Sequence, residues 1–324
     1  MMSTNARRQA TVCTGIALTT FSPSLFADEG GVSFWLPGNY GSFAAAPSEP
    51  GWALPFIYYH GPASAGDDKT FVRGARLTAG LNARADFVFV APTYTFASPV
   101  AGGQAAVSVA GALGRVKAGI EATLTGPSGA VLSGSESDSR TGLSDLYPTA
   151  TLKWNRGAHN YMVYAAADVP VGAYDPTRLA NIGINHWVLD AGSGYTYFDE
   201  KSGNEFSAAI GFTYNFENHD TSYRNGVDGH LDGAASHFFS PTFHAGVVGY
   251  AYNQLSGDSG SGATLGDFKS KVWGIGPQAG WFFKVREKKW YLNLKGYHEF
   301  NAQNRPHGWN AWLTLAIPLW EAKP

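Results

Sequence analysis

Most residues of this chain that could do chemistry are placed to select a molecule rather than to break a bond. Gly257-Asp258-Ser259-Gly260 reproduces the string around a serine-protease nucleophile. A serine there needs a histidine within hydrogen-bond reach and an acid behind it. No histidine is placed to partner Ser259, and Gly, Ser and Asp together make a turn. The nine histidines show no metal-ligand spacing: His237 and His244 fall on separate strand candidates, and no helix carries His-x-x-x-His. No catalytic residue, metal or cofactor is expected.

What remains is a set of charges and rings on the polar faces of alternating segments. Lys153, Asp168, Asp190, Glu205, Lys295 and Glu299 are interleaved with Tyr147, Tyr164, Tyr291 and Tyr297. Charges inside a protein must be paired or hydrated. The set reads either as a hydrated, salt-bridged interior or as the lining that selects what passes along a path. The tyrosines offer π faces to aromatic guests, and equally they pack a narrow lumen. Phe34, Trp35, Tyr40 and Phe43 belong with them. They lie in residues 28–51, too rich in Gly and Pro for a helix or strand, and their rings need burial. That segment is either a periplasmic tail or a plug folded into a barrel mouth. The acidic stretch Ser135–Arg140 reads as a solvated loop, with divalent cations or lipopolysaccharide as the alternative.

These side chains need a wall, and the end of the chain shows what kind. In Gly308–Trp320 one face reads Trp309, Ala311, Leu313, Leu315, Ile317, Leu319, and the other reads Asn310, Trp312, Thr314, Ala316, Pro318. Alternation of this length is a strand with one greasy side. It exceeds the usual globular strand of about 5–6 residues and matches the roughly 9–11 residues that a tilted strand needs to cross a bilayer.

Composition agrees. Aromatics make up 14% of the 324 residues, charged residues only 15%, and glycine supplies 40, with a mean hydropathy of -0.16. No apolar run is long enough for a spanning helix. A barrel reconciles these facts, because its apolar residues alternate with polar lumen residues. Residues 1–27 read as a secretory signal: Arg7 and Arg8, an apolar Thr11–Thr20, then Leu25-Phe26-Ala27 before Asp28. Its removal takes the only cysteine, Cys13, and makes the formal charge of -2 two units more negative. An acidic chain gives no support to nucleic-acid binding.

Strand candidates recur from Trp52–His60 to the closing stretch. Phe71–Leu81 and Asp86–Phe96 flank a turn at Asn82–Ala85, and Gln104–Leu113 and Ala118–Thr125 flank another at Gly114–Lys117. Short turns near 156–159, 200–204, 240–242 and 285–289 alternate with loops at 126–144, 174–185, 218–228 and 256–270. Short turns face the periplasm and long loops the exterior. The count is an all-β transmembrane antiparallel barrel of about 14 strands spanning 52–320, with a tail at 321–324. Twelve strands is the alternative, if the pair around 104–125 is one bent hairpin or lies outside the wall. A secreted β-sandwich alternates too, but Trp154, Tyr161, Trp187, Tyr214, Trp281, Trp290 and Trp309 mark the ends of apolar faces as interfacial girdles do.

Several strings carry a family resemblance. Glu29-Gly-Gly-Val-Ser-Phe-Trp-Leu-Pro-Gly, Asn82-Ala-Arg-Ala-Asp, Asp145-Leu-Tyr-Pro-Thr-Ala-Thr-Leu-Lys-Trp-Asn, Val169-Pro-Val-Gly-Ala-Tyr-Asp-Pro-Thr-Arg-Leu-Ala-Asn and Gly249-Tyr-Ala-Tyr-Asn-Gln-Leu-Ser-Gly-Asp-Ser-Gly resemble the transporter-like outer-membrane family of the meta-pathway of phenol degradation. So do Ala91-Pro-Thr-Tyr, Gly194-Tyr-Thr-Tyr, Gly274-Ile-Gly-Pro-Gln and Tyr291-Leu-Asn-Leu-Lys-Gly-Tyr. The resemblance implies a channel in the outer membrane of a Gram-negative bacterium that admits small hydrophobic, in particular phenol-like aromatic, compounds. Outer-membrane lipids and lipopolysaccharide would surround it, and the barrel assembly machinery would insert it. A lipid- or lipopolysaccharide-modifying barrel enzyme and a structural barrel with a filled lumen are the rival readings. The resemblance supplies no site residues.

Overall fold

The computed structural model describes residues 33–321 apart from 71–75, 126–128 and 264–268, so the signal peptide expected over residues 1–27 lies outside the described residues. The strands are β1 (Gly51–Thr70), β2 (Arg76–Val90), β3 (Thr93–Thr95), β4 (Gln104–Thr125), β5 (Val131–Leu143), β6 (Tyr147–Arg156), β7 (His159–Asp168), β8 (Val188–Asp199), β9 (Asn204–Asn215), β10 (Asp228–Ser240), β11 (Phe243–Gln254), β12 (Lys271–Val285), β13 (Lys288–Gln303) and β14 (His307–Glu321). All pairings are antiparallel: β1, β2, β4 and β6 to β14 each pair with the next in that order, and β14 returns to pair with β1, closing a ring of twelve. The seam runs from Gly51↔Glu321 to Ser64↔His307. Within the ring closure leaves no edge, which is what a sheet in hydrocarbon requires, and β5, outside the ring, pairs with β4.

Twelve, the alternative count, follows from strands that are longer than their alternation. Arg76–Val90 pairs with Gly111–Thr125 without a break, so neither Asn82–Ala85 nor Gly114–Lys117 is a turn. The polar residues that suggested turns, Asn82, Arg84, Arg115 and Lys117, are exposed residues of continuous strands. Strand β3 continues β2 past Ala91-Pro92, keeping the same two neighbours: Gly51↔Thr95 on β1 and Thr93↔Ser108 on β4. Likewise β5 and β6 are consecutive parts of one descending strand, both paired with β4 and joined through Ser144–Leu146. The stretch read as a loop at 126–144 is thus largely strand, and β1 runs on past the expected Trp52–His60 to Thr70. Where the outer face leaves hydrocarbon, strand sequence loses its alternation of apolar and polar residues, and Gly, Ser and Asp no longer distinguish strand from loop.

Within the wall the two faces are as the alternation requires. Tyr161, Val163, Phe206, Ile210, Ile275 and Leu313 are all more than 40% exposed. Between them Asn160, Met162, Glu205, Asn310 and Trp312 are buried. An outer face of large apolar side chains can only be stable against lipid. Aromatic pairs bound it at both ends. Trp52 packs on Tyr94 and Phe243 on Trp281 at the end where both chain ends of the barrel lie, and Trp273 packs on Phe300 at the other. The tight turns follow β6, β8, β10 and β12 on the first side, and the long connections, the longest being 169–187, lie on the second.

Candidate transport path

Inside the ring, residues 33–50 run past inward-facing side chains from the outer half of the barrel down to β1. Trp35 stacks on His230, with ring centroids 3.6 Å apart. Below it the carboxylate of Asp232 accepts the backbone N–H groups of Gly38 (2.8 Å) and Tyr40 (3.2 Å). Lys295 Nζ donates to the Gly38 carbonyl at 2.6 Å. Lower still, Glu205 accepts the Ser42 hydroxyl and the Phe43 N–H, Thr196 accepts the Ala45 N–H, and Lys153 Nζ donates to the Ala46 carbonyl. Phe43 sits edge-on among Phe198, His244 and Tyr291. A segment without a helix or strand of its own thereby has its polar backbone groups met by the wall, as burial demands.

Of the residues expected to line a path, Trp35, Tyr40, Phe43, Lys153, Tyr164, Glu205, Tyr291, Lys295 and Tyr297 gather around this segment. Tyr164 lies against Trp35 and Tyr40, and the Tyr297 ring is what a Cβ at Gly38 would strike. Phe34 leans on Tyr147, one strand sector away. Glu299 faces the lumen but serves the wall, accepting from Tyr250 Oη at 2.7 Å and from the Gly308 N–H at 2.8 Å. Asp168 is fully buried, and neither carboxylate oxygen has a hydrogen-bond partner among the described residues. The residues are brought together, but by a piece of the chain itself.

Sequence reasoning missed the residues that grip the segment most tightly, Asp232, His230 and Thr196. Asp228, His230 and Asp232 stand at a spacing of two on the polar face of β10, which was the available signal. The loop expected at 174–185 is present and extends over 169–187, but its inward course was missed. Asp145 draws this loop inward, accepting the N–H groups of Gly172 and Ile184, each at 2.7 Å. Ala180 and Ile182 then pack with Phe87, Ala112 and Val116. Where the loop meets β5, Arg178 pairs with Asp138, and the guanidinium holds that carboxyl down to about 2.

Between loop and wall, above the inner segment, lies a vestibule of about 610 Å³. Leu36, Leu81, Phe87, Val116, Ile120 and Ile182 line its apolar side, and Arg178, Thr221 and Arg305 lie on its polar side. Cavities of a few hundred Å³ with an apolar wall and few polar groups are the usual setting for small organic ligands.

The residues of the catalytic readings are held by other partners. Ser259 is bonded through its backbone to Arg224, and the neighbouring Asp258 carboxylate accepts the Gly226 N–H and a Gln254 side-chain N–H. His244 is buried inside the ring, with Nε2 3.0 Å from Tyr291 Oη, whereas His237 is exposed.

Residues 66–315 match the family described as "Putative MetA-pathway of phenol degradation". Among solved structures, the chain is similar to an outer membrane channel from Pseudomonas putida F1, at 14% identity and a TM-score of 0.59, over 85% of this chain and 98% of that one. It is also similar to Pseudomonas aeruginosa OccK10, at 10% identity and a TM-score of 0.31, over 84% of this chain and 98% of that one. At these identities the first likeness is one of fold. No curated protein matches the chain.

Proposed function

We propose, from the premise that this chain belongs to the family of the MetA-pathway of phenol degradation, that it is an outer-membrane channel for passive uptake of small hydrophobic, above all phenol-like, compounds. The carrying observation is the vestibule: an apolar wall of Leu81, Phe87, Val116 and Ile120 opens above a lumen closed by residues 33–50. A small aromatic molecule gains by leaving water for that wall. Hydrated ions gain nothing there and meet the inner segment beneath. Residues 33–50 act as a plug, and the lumen residues that hold it, from Lys153 and Glu205 to Lys295, become the path when it moves. The barrel stands in a Gram-negative outer membrane with lipopolysaccharide around its outer half.

The experiment is single-channel recording of the refolded protein with and without residues 28–51, together with liposome entry of phenol and toluate. Conductance that rises on removing the segment and is blocked by phenolics supports a plugged, aromatic-selective channel. Liposomes that admit ions but take up phenol no faster than empty ones overturn the substrate and leave a pore. The filled lumen itself favours one rival, a structural barrel, and absence of conductance with and without the segment would establish it.

A further inference from the structure

The outer face of β1, β2, β4 and β5 changes character along one line. Taken across the four strands in register, Tyr58, Val88, Leu113 and Leu143 form one outward row. All four are exposed, from 41% at Tyr58 to 67% at Leu143. The next outward row is His60, Asp86, Arg115 and Thr141, and the one beyond is Pro62, Arg84, Lys117 and Ser139. Arg84, Arg115 and Lys117 are exposed. The single carboxylate among them, Asp86, is engaged by the Tyr58 hydroxyl, the His60 ring and Arg84 Nε, at 2.7 to 3.0 Å.

Two rows therefore carry three permanent cations against one anion, directly beyond an apolar row. Charges of this kind do not stand in hydrocarbon, so the line marks where acyl chains end and headgroups begin. Trp309 packs on His60 at the same height, with ring centroids 5.0 Å apart, in the position of an interfacial aromatic. The long connections lie on this side, away from the barrel's chain ends, so the headgroups are those of the outer leaflet. The sheet also fixes the spacing: Arg84 stands directly opposite Lys117, and Arg115 one outward position below. Side chains so placed on one face are neighbours, about 4.5–5.5 Å apart at Cβ for the opposed pair. Arginine adds bidentate recognition of phosphate.

We propose that the outer face of β2 and β4 is a docking site for the lipid A of lipopolysaccharide, its phosphates on Arg84, Arg115 and Lys117 and its acyl chains over Leu113, Val88 and Tyr58. The proposal rests on the barrel standing in the outer membrane, and not on what it conducts. A zwitterionic phospholipid, whose phosphate is balanced by its own ammonium, would answer the apolar row but leave the surplus of two positive charges unmatched.

The test titrates the full refolded protein in detergent with deep-rough lipopolysaccharide, with dephosphorylated lipid A, and with the triple variant Arg84→Gln/Arg115→Gln/Lys117→Gln. Wild-type protein binds the phosphorylated lipid, and affinity falls tenfold or more when either the phosphates or the three cations are removed. Equal affinity of the wild type for dephosphorylated lipid A overturns the proposal, and this arm needs no variant. So does an unchanged affinity in the triple variant. Conductance is recorded on the same preparations: a conducting barrel that ignores phosphate refutes the docking site alone, and a docking barrel that does not conduct refutes the channel alone.

Discussion

Trp35 lies nearly parallel to His230, their planes 15° apart at 3.6 Å, and His230 Nε2 lies 2.9 Å from Asp190 Oδ2. One residue of the inner segment is thus laid on a wall histidine that a wall carboxylate orients. Stacked aromatic pairs add about 0.5–1.5 kcal/mol beyond their buried area, and truncating a buried aromatic to alanine costs about 3–5 kcal/mol in total. Trp35→Ala is expected to loosen the upper part of the segment and raise the frequency of open events in single-channel records. His230→Phe keeps a ring face beneath Trp35 and should open less often. Identical records for Trp35→Ala and wild type would show that the stack does not hold the lumen closed.

Gly38 is held at φ +90, and a Cβ there would come within 2.9 Å of the Tyr297 ring. An alanine would carry both the left-handed backbone strain, about 1 kcal/mol or more, and a displaced tyrosine. Gly38→Ala should therefore weaken the Asp232 grip on residues 38 and 40, seen as faster protease cleavage within residues 33–50 while the barrel stays folded. Gly38→Ala/Tyr297→Leu relieves the clash and should recover part of the loss. No recovery would place the whole cost in the backbone.

Most of the wall was legible because lipid outside and a crowded lumen inside impose a period of two, and Tyr161, Ile210 and Trp312 obey it. The strand count was not, because β2, β4 and β5 run on beyond the hydrocarbon layer, where the polar outer faces of Arg84, Lys117 and the Ser-Gly-Ser run of β5 break the apolar alternation. Lys153, Glu205 and Lys295 were legible as lumen charges by the same alternation. Their partners were not: they bond to backbone atoms of Ala46, Phe43 and Gly38, and a backbone carbonyl or N–H leaves no mark in a sequence. The inward loop was hidden for the same reason, since Asp145 grips it through the amides of Gly172 and Ile184.

Asp138, on the inward face of β5, and Arg178 fasten that loop to the wall, and Asp138 Oδ2 also accepts the Ala180 N–H at 3.1 Å. The Asp138 carboxyl is lowered from 3.8 to about 2, first by Arg178. A depressed carboxylate stabilises the folded state above its unfolded value, so the clasp is complete above about pH 4 and lost as pH falls through about 2. A spin label at Leu179→Cys should stay immobile from pH 7 to 4 and become mobile near pH 2. In Asp138→Asn it should be mobile already at pH 7. Mobility unchanged by that substitution would mean the buried contacts of Ile182 hold the loop alone.

Asp168 stands opposite Val188 across the sheet, buried and with both oxygens unpartnered among the described residues. Burying a carboxylate without partners is costly, and a neutral group of the same shape avoids most of that cost. Asp168→Asn is expected to leave the unfolding temperature equal or higher, against the usual loss of about 1 kcal/mol for a substitution in a packed interior. A clear fall in the unfolding temperature would mean that the carboxylate has a bound partner, an ordered water or an ion, that an amide cannot hold.

The vestibule wall gives the sharpest separation of selectivity from pore size. Ile120 lies on β4 at the vestibule and is only half-buried, so a polar group there can be hydrated without disturbing the ring. Ile120→Asn removes apolar contact from a guest of phenolic size while changing the bore little. At about 25 cal/mol per Å² of apolar surface, losing some 40–60 Å² of guest contact weakens partition by about 1–1.5 kcal/mol, roughly five- to tenfold. Entry of phenol into liposomes should slow by that factor while ion conductance stays at the wild-type value. If both fall together, the residue acts by narrowing the passage. If neither changes, aromatic guests do not rest on this wall, and the apolar side of the vestibule serves only to seat the loop.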